Sequence, residues 1–145
     1  MPGAQRAAQA REWTYRLAEL GDADACADVG RDIRQKAEFR YLHGARKADC
    51  VGELEEALEW FRRAYEADWE SAVKDVAEVL CELERYEEAV PFLEQAVEIG
   101  ERDGDFVHEL KSNLKSARNH VARQEKRAAR SQAGAPKPSW WRRGG

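Results

Sequence analysis

The sequence has little of what a β-domain or a membrane span requires. Thr14 is the only threonine and Ile33 and Ile99 are the only isoleucines, whereas there are 24 alanines and 19 glutamates among 145 residues. Because β-branched residues favour strands and alanine and glutamate favour helices, this usage excludes an all-β domain. The longest stretch free of Asp, Glu, Lys and Arg is residues 131–136, which is too short to cross a bilayer. These absences predict an all-α protein.

Cysteine and histidine are equally sparse. The three cysteines, Cys26, Cys50 and Cys81, lack metal-type spacing, and an odd number suits reduced thiols, which predicts a cytoplasmic protein. The three histidines form no His-x3-His pair, and the sequence contains no Ser/His/Asp order and no glycine-rich phosphate loop. We therefore expect no metal site, no cofactor and no enzymatic activity.

Charge is divided unevenly along the chain. Residues 1–114 carry 15 Lys or Arg against 27 Asp or Glu, whereas residues 115–145 carry nine against one. An acidic body with a basic C-terminal arm is typical of self-association or of an anionic partner. A solvated acidic surface followed by an inert basic tail is the alternative.

An internal repeat organises the acidic body. Residues 54–64 recur as residues 86–96, with each matched position displaced by 32. A third copy is displaced by 47, and its matched pairs are Ala10 with Ala57, Trp13 with Trp60, Ala25 with Ala72, Val29 with Val76, Gly30 with Ala77 and Ile33 with Leu80. The difference between the two displacements locates a 15-residue insertion in the middle unit, between Arg34 and Cys50. Each unit has the apolar spacing of two amphipathic helices, and because one helix pair cannot cover its own stripe, the units must stack.

This spacing resembles that of tetratricopeptide repeats. In the last unit the family positions are occupied by Val73, Val76, Ala77, Leu80, Tyr86, Ala89, Leu93 and Ala96; in the middle unit they are occupied by Val29, Gly30, Ile33, Leu54, Ala57, Phe61 and Ala64. The insertion also resembles the longer Sel-one-like variant of the family. The resemblance implies a short right-handed α-solenoid of antiparallel helix pairs. It also implies a non-enzymatic adaptor or scaffold that binds a peptide or a partner helix on its concave surface.

We divide the chain into a frayed N-terminus (1–6), helical repeats (7–104), a capping helix that becomes basic (105–130) and a disordered Pro/Trp/Arg tail (131–145). Helices are predicted at about 7–20, 23–41, 53–67, 70–83 and 86–99, with the insertion forming a loop over 44–52. Gly100 is the predicted left-handed helix stop. The capping helix starts near residue 105 or 106 and presents a stripe formed by Phe106, Leu110, Leu114, Ala117 and Val121.

The resemblance places the peptide-binding positions on the first helix of each pair. In this sequence they are Asp24, Ala27, Arg31, Arg34, Gln35, Ser71, Lys74, Glu78 and Glu82. Lys74 matches one position of the carboxylate clamp that binds acidic chaperone tails, but Glu78 stands where that clamp needs an asparagine. Arg31 and Arg34 carry guanidinium forks that suit a carboxylate or a phosphate.

The basic arm is the second candidate site. Its interaction residues are Arg123, Lys126, Arg127, Arg130, Trp140, Trp141, Arg142 and Arg143. Exposed tryptophans are typical anchors at interfaces, and the clustered cations suit RNA, an anionic membrane surface or an acidic protein groove. The arm of one copy docking on the acidic body of another, which would form a homo-oligomer, remains open as well.

Overall fold

A computed structural model describes residues 2–134, and 88% of these residues are helical. The six helices are α1 (Pro2–Glu19), α2 (Ala23–Leu42), α3 (Lys47–Ala67), α4 (Trp69–Glu82), α5 (Tyr86–Asp103) and α6 (His108–Ala133). Residues 2–134 contain no strand. The predicted all-α repeat architecture is confirmed.

The helices form two layers, because side chains of α1, α2 and α3 contact the second helix after their own in the sequence. Arg34 on α2 binds carboxylates on α4, which places these two helices side by side. In the other layer Tyr15 of α1 packs edge-on against Trp60 of α3, and Tyr65 of α3 packs edge-on against Phe92 of α5. Successive helices joined by short loops therefore zigzag between the layers, as in a helical-repeat stack.

The core lies between the layers at the positions that the repeat matches. Ala57 and Ala89, which are displaced by 32, are both fully buried. Val76 and Leu80 are also fully buried, and their partners at a displacement of 47 are buried in the middle pair. The sequence repeat is therefore a packing repeat, in which equivalent residues fill equivalent places.

At one contact between the two helices of a unit, the middle unit and the last unit use side chains of different sizes. A Cβ atom on Gly30 would lie 2.7 Å from Cε1 of Phe61, so the buried phenyl ring leaves no room for a side chain there. The last pair has Ala77 and Leu93 at the equivalent positions, and both are fully buried. A larger residue on the second helix is thus matched by a smaller one on the first.

The insertion is helical, and the predicted loop over 44–52 is wrong. Relative to α4 and α5, α2 continues seven residues further and α3 begins seven residues earlier, while the turn at 43–46 is one residue longer. Seven residues of helix span about 10 Å, so the two helices project together as an extended hairpin. The extension is held to the body through Cys50, which is buried and whose thiol donates to the carbonyl of Ala37 at 3.5 Å.

The predicted stop at Gly100 is also wrong. Helix α5 continues to Asp103, and Gly104 takes the left-handed conformation at φ 73°. Gly100 instead allows close packing, because a Cβ at this position would overlap Cγ1 of Val107. Val107 thereby takes the inward place expected for Phe106, which is 92% exposed.

Helix α6 covers the end of the stack through Leu110, Leu114 and Ala117, which are buried against the body. It begins at His108, later than predicted, and continues through Ala133, three residues into the segment predicted to be disordered. The alanines at 128, 129 and 133 favour this continuation. Residues 135–145, which hold the rest of the predicted tail, lie outside the described residues.

The N-terminal segment predicted to be frayed is helical from Pro2 onward. Proline suits the first turn of a helix, where its missing N–H has no partner to lose, and alanines follow it. No helix within residues 2–134 is both long enough and apolar enough to span a membrane.

Candidate peptide-binding face

The predicted binding positions on α2 and α4 meet in a network of ion pairs, which we call the α2–α4 face. Arg34 donates from Nη1 to Glu78 at 2.9 Å and from Nε to Glu82 at 2.8 Å. Arg31 bonds both Asp28 on its own helix and Asp75 on α4, at 3.3 Å each. The guanidinium groups expected to hold an anionic ligand are therefore already paired with carboxylates of the same chain.

Burial has different effects on the pKa values of Arg34 and Asp75, although both residues belong to ion pairs of this network. Burial alone lowers the pKa of Arg34, but its bonds to Glu82 and Glu78 raise that pKa above its ordinary value, so the arginine stays charged. Burial raises the pKa of Asp75 above 3.8, and the charge and hydrogen bond of Arg31 offset only part of this effect. Asp75 is thus a carboxylate that would gain from an additional cation.

The α2–α4 face is acidic as a whole. It carries five carboxylates, at positions 24, 28, 75, 78 and 82, against three cations at positions 31, 34 and 74. Lys74, the residue that matches the carboxylate clamp, lies 3.8 Å from Glu78. The clamp position is thus occupied by an internal pair, and the field of this face favours a positively charged ligand.

Of the nine predicted positions, five form ion pairs of this network, namely Arg31, Arg34, Lys74, Glu78 and Glu82. Gln35 instead lines an open hollow that includes Glu53 of α3. Among the nine, the exposed residues are Asp24, Arg31, Gln35, Ser71 and Lys74, and the half-buried ones are Arg34, Glu78 and Glu82. Ala27 is only 6% exposed and belongs to the core.

Sequence reasoning missed Asp75. The signal that could have found it is the repeat itself, because Asp75 lies 47 residues after Asp28 and both carboxylates bond Arg31. An acidic residue at the same place in both units indicates a shared cation between them.

An open cavity of about 280 Å³ adjoins the face where the extended hairpin projects. Its apolar lining is formed by Ala37, Tyr41, Cys50 and Leu54, and Glu82 joins it to the α2–α4 face. Lys47 lines the cavity and pairs with Glu84 of the turn before α5 at 3.1 Å. The inserted residues thus build a pocket that an apolar side chain of a ligand can enter.

The described part of the basic arm carries a second distinct surface, which we call the α6 stripe. Its residues are Arg123, Lys126, Arg127 and Arg130, all exposed and spaced on one side of the helix. Earlier in α6, Arg118 pairs with Glu94 at 2.8 Å, whereas within residues 2–134 the four stripe residues form no ion pair. Trp140, Trp141, Arg142 and Arg143 lie outside the described residues.

The remaining polar groups offer no comparable site. Burial raises the pKa of the Cys26 and Cys81 thiols, which disfavours the reactive thiolate. Among residues 2–134, no cluster of three or more histidine, cysteine or acidic side chains is arranged to hold a metal ion.

The comparisons with known proteins bear on the last helix pair. Residues 75–102, from the middle of α4 to the end of α5, match the family model described as tetratricopeptide repeat. The comparison with curated proteins and the comparison with solved structures each gave no match. The Sel-one-like variant stays a prediction. Residues 75–102 thus have the sequence pattern of a tetratricopeptide repeat, which confirms that prediction for the last helix pair; proteins with such repeats are generally protein-interaction modules.

Proposed function

We propose that the chain is a non-enzymatic adaptor that binds a peptide or partner helix carrying a cation and an apolar anchor. The observation that carries this proposal is the continuity of two features at Glu82, which belongs both to the acidic α2–α4 face and to the cavity beside it. A ligand cation would meet Asp75 and its neighbours, while an apolar side chain would enter the cavity. Helical peptides are recognised by apolar anchors that enter a groove, and charge complementarity sets their register.

An acidic ligand is disfavoured by the same geometry. A carboxylate approaching Arg34 would have to replace Glu78 or Glu82, which already provide charge-assisted bonds. A lysine or arginine of a ligand adds a counter-charge to a surface on which carboxylates outnumber cations. We therefore expect basic peptides in place of the acidic tails that a carboxylate clamp binds.

The test is selection from a display library of random peptides against the full chain, followed by affinity measurement on the selected peptides. We expect enrichment of Lys or Arg together with an apolar residue. The Tyr41→Ala chain and the Asp75→Asn, Glu82→Gln chain should each bind the selected peptides at least ~10-fold more weakly, a change of about 1.4 kcal/mol.

A matched control carries the same loss of charge elsewhere. Glu12→Gln with Glu59→Gln removes two exposed carboxylates that pair within their own helices, and it should leave peptide affinity unchanged. Selection of acidic peptides, or equal affinity of the control and the face variants, would contradict the proposal.

A second candidate function, binding of single-stranded nucleic acid through the α6 stripe, is supported by the spacing of its four cations. The stripe spans positions i, i+3, i+4 and i+7, so four positive groups line one side of about two helical turns. Between residues 122 and 133 the only apolar residues are alanines, which leaves this segment without the large apolar face that membrane-surface helices use. The pattern therefore favours a phosphate backbone over a bilayer.

Fluorescence anisotropy with polyuridine RNA tests this second function. If four phosphates are contacted, affinity should fall about 50-fold between 50 and 200 mM salt. Arg127→Gln with Arg130→Gln should weaken binding, whereas Arg62→Gln with Arg63→Gln on α3 should not. Salt-independent binding, or binding to phosphatidylserine vesicles with none to RNA, would contradict it.

A further inference from the structure

Helix α1 turns its larger apolar side chains away from the body. Trp13 is 63% exposed, Leu17 is 46% exposed and Leu20 is 84% exposed, whereas the side of α1 that meets the stack buries Ala18. The spacing of four and then three residues places the three large side chains on one face of the helix. We call them the α1 stripe.

The repeat shows what this face corresponds to in the rest of the stack. At a displacement of 47, Leu17 matches Ala64 of α3, which is fully buried, and Trp13 matches Trp60, which packs against Tyr15 of α1. Leu20 matches Ala67, which is exposed. Within residues 2–134 no helix covers the matching side of α1. The α1 stripe therefore has the position of a helix–helix contact surface.

The attachment of α1 to the body is slight. Every residue from Pro2 to Trp13 is exposed, and the contacts that hold the helix come from its second half, through Ala18 and through Tyr15 against Trp60 at 6.4 Å between ring centroids. An 18-residue helix that buries so little is only marginally stable in water. Covering the α1 stripe would give the helix a second buried side.

The charges along α1 indicate what covers it. Its first half, residues 2–11, carries Arg6 and Arg11 and no acidic residue. The other end, residues 19–24, carries Glu19, Asp22 and Asp24 and no basic residue. Two α1 helices packed antiparallel would bring each basic half against an acidic end, whereas parallel packing would bring like charges together.

We propose that two copies of this chain associate through antiparallel α1 helices, with the α1 stripes of the two copies packed together at the centre. Such an interface is self-complementary about a two-fold axis, so the same charge pairing forms at both ends. It also sets the two helix dipoles in opposite directions, which is the favourable arrangement. Of the α2–α4 face only Asp24 takes part in it, and the residues changed in the peptide-binding test, Tyr41, Asp75 and Glu82, do not, so the two proposals can fail separately.

Sedimentation velocity of the full chain over a wide concentration range tests the proposal. The wild-type mass should rise from one to two chains as concentration increases. Trp13→Glu should remain a single chain throughout, because it buries a charge at the centre of the interface. The matched control is Phe39→Glu, whose side chain is 62% exposed on the extended hairpin, and it should associate as the wild type does.

A charge-exchange experiment keeps the proposal falsifiable should Trp13→Glu unfold α1. Arg6→Glu with Arg11→Glu makes both ends of α1 acidic, and Glu19→Lys with Asp24→Lys makes both ends basic; Asp22 is retained because it caps α2 by accepting from the Ala25 N–H at 2.9 Å. Each variant alone should dimerise at least ~10-fold more weakly than the wild type, a change of about 1.4 kcal/mol, and an equimolar mixture should recover the loss. A wild type that stays a single chain, or a mixture no better than its components, would overturn the proposal.

Discussion

The two complete helix pairs, α2–α3 and α4–α5, share one packing pattern and differ in two respects. The middle pair combines Gly30 with Phe61 where the last pair combines Ala77 with Leu93, and the middle pair extends both helices by seven residues. The first difference conserves volume within the core, whereas the second adds a projecting hairpin and the cavity beside Glu82. The shared core packing is therefore what the fold requires, and the extended hairpin with its cavity is an addition specific to the middle pair.

Truncation of the matched core residues should have the largest effect. Phe61 and Leu93 are both fully buried, so Phe61→Ala is expected to cost about 3–5 kcal/mol and Leu93→Ala about 2–5 kcal/mol. Urea unfolding followed by circular dichroism measures both. Phe39→Ala in the extension is the control and should cost less than ~1 kcal/mol, because its side chain is mostly exposed. A cost below that of the control at either core position would show that the two pairs are not packed alike.

Removal of the extension should have a smaller effect on stability. Deleting residues 36–50 brings Gln35 to the place of Glu82 in the last pair and leaves Gly52 at the turn position where Glu84 has φ 59°. Because glycine adopts that conformation freely, the shortened hairpin should close, and we expect a folded chain that is about 1–3 kcal/mol less stable.

Circular dichroism and thermal unfolding of the deletion variant check this expectation. The variant should also lose binding of peptides selected on the full chain, since Tyr41 and Cys50 leave with the deleted segment. An unfolded variant would mean that the extension belongs to the core, and undiminished peptide binding would place the ligand elsewhere.

Loss of Arg34, the cation that joins helix α2 to helix α4, should lower the free energy of unfolding by less than the deletion does. Arg34→Gln leaves Glu78 and Glu82 facing each other without their half-buried partner, and we expect a loss of about 1–2 kcal/mol in urea unfolding. Lys36→Gln, which breaks a largely exposed pair with Asp32 inside α2, should cost less than ~0.5 kcal/mol. Equal costs for the two variants would show that the inter-pair contact is an ordinary surface pair.

The smallest effect should be a pH-dependent gain from Asp75→Asn. Because burial raises the pKa of Asp75 in the folded chain, the folded state favours the protonated acid, and that stability is lost as pH rises through the raised pKa. The variant should therefore be more stable than the wild type at pH 7, by roughly 0.5 kcal/mol, and the difference should vanish below pH 3.8, the ordinary value for the group.

Asp28→Asn is the matched control for this measurement. Asp28 bonds the same arginine but is mostly exposed, so its removal should give no gain at neutral pH. A variant Asp75→Asn that is less stable than the wild type at pH 7 would mean that Arg31 outweighs the cost of burial.

The sequence was sufficient for the helices and the core because both depend on local spacing. The matched alanines and the apolar stripe of the last pair sit where their periodicity places them. Helix ends were predicted less well because they depend on tertiary contacts. Gly100 resembles a stop until Val107 is seen to pack on it, and the insertion resembles a loop until Cys50 is seen to pack near Ala37.

For the candidate site as well, features that depend on local spacing were predicted and features that depend on tertiary contacts were not. The resemblance to tetratricopeptide repeats placed Arg31 and Arg34 on one predicted binding surface. Their pairing with Glu78, Glu82 and Asp75 depends on how α2 lies beside α4, which no local pattern contains. The sequence therefore predicted the surface, but it did not predict that the two arginines are paired with carboxylates of the same chain.

The equivalence of the two pairs is tested most directly by a double-mutant cycle at positions 30 and 61. Gly30→Ala alone should cost about 1–3 kcal/mol in urea unfolding, because the added methyl group would overlap the ring of Phe61. In a Phe61→Leu background, which reproduces the combination found at Ala77 and Leu93, the same change should cost nothing or stabilise the chain by up to about 1 kcal/mol through helix propensity. An equal cost of Gly30→Ala in both backgrounds would contradict the account.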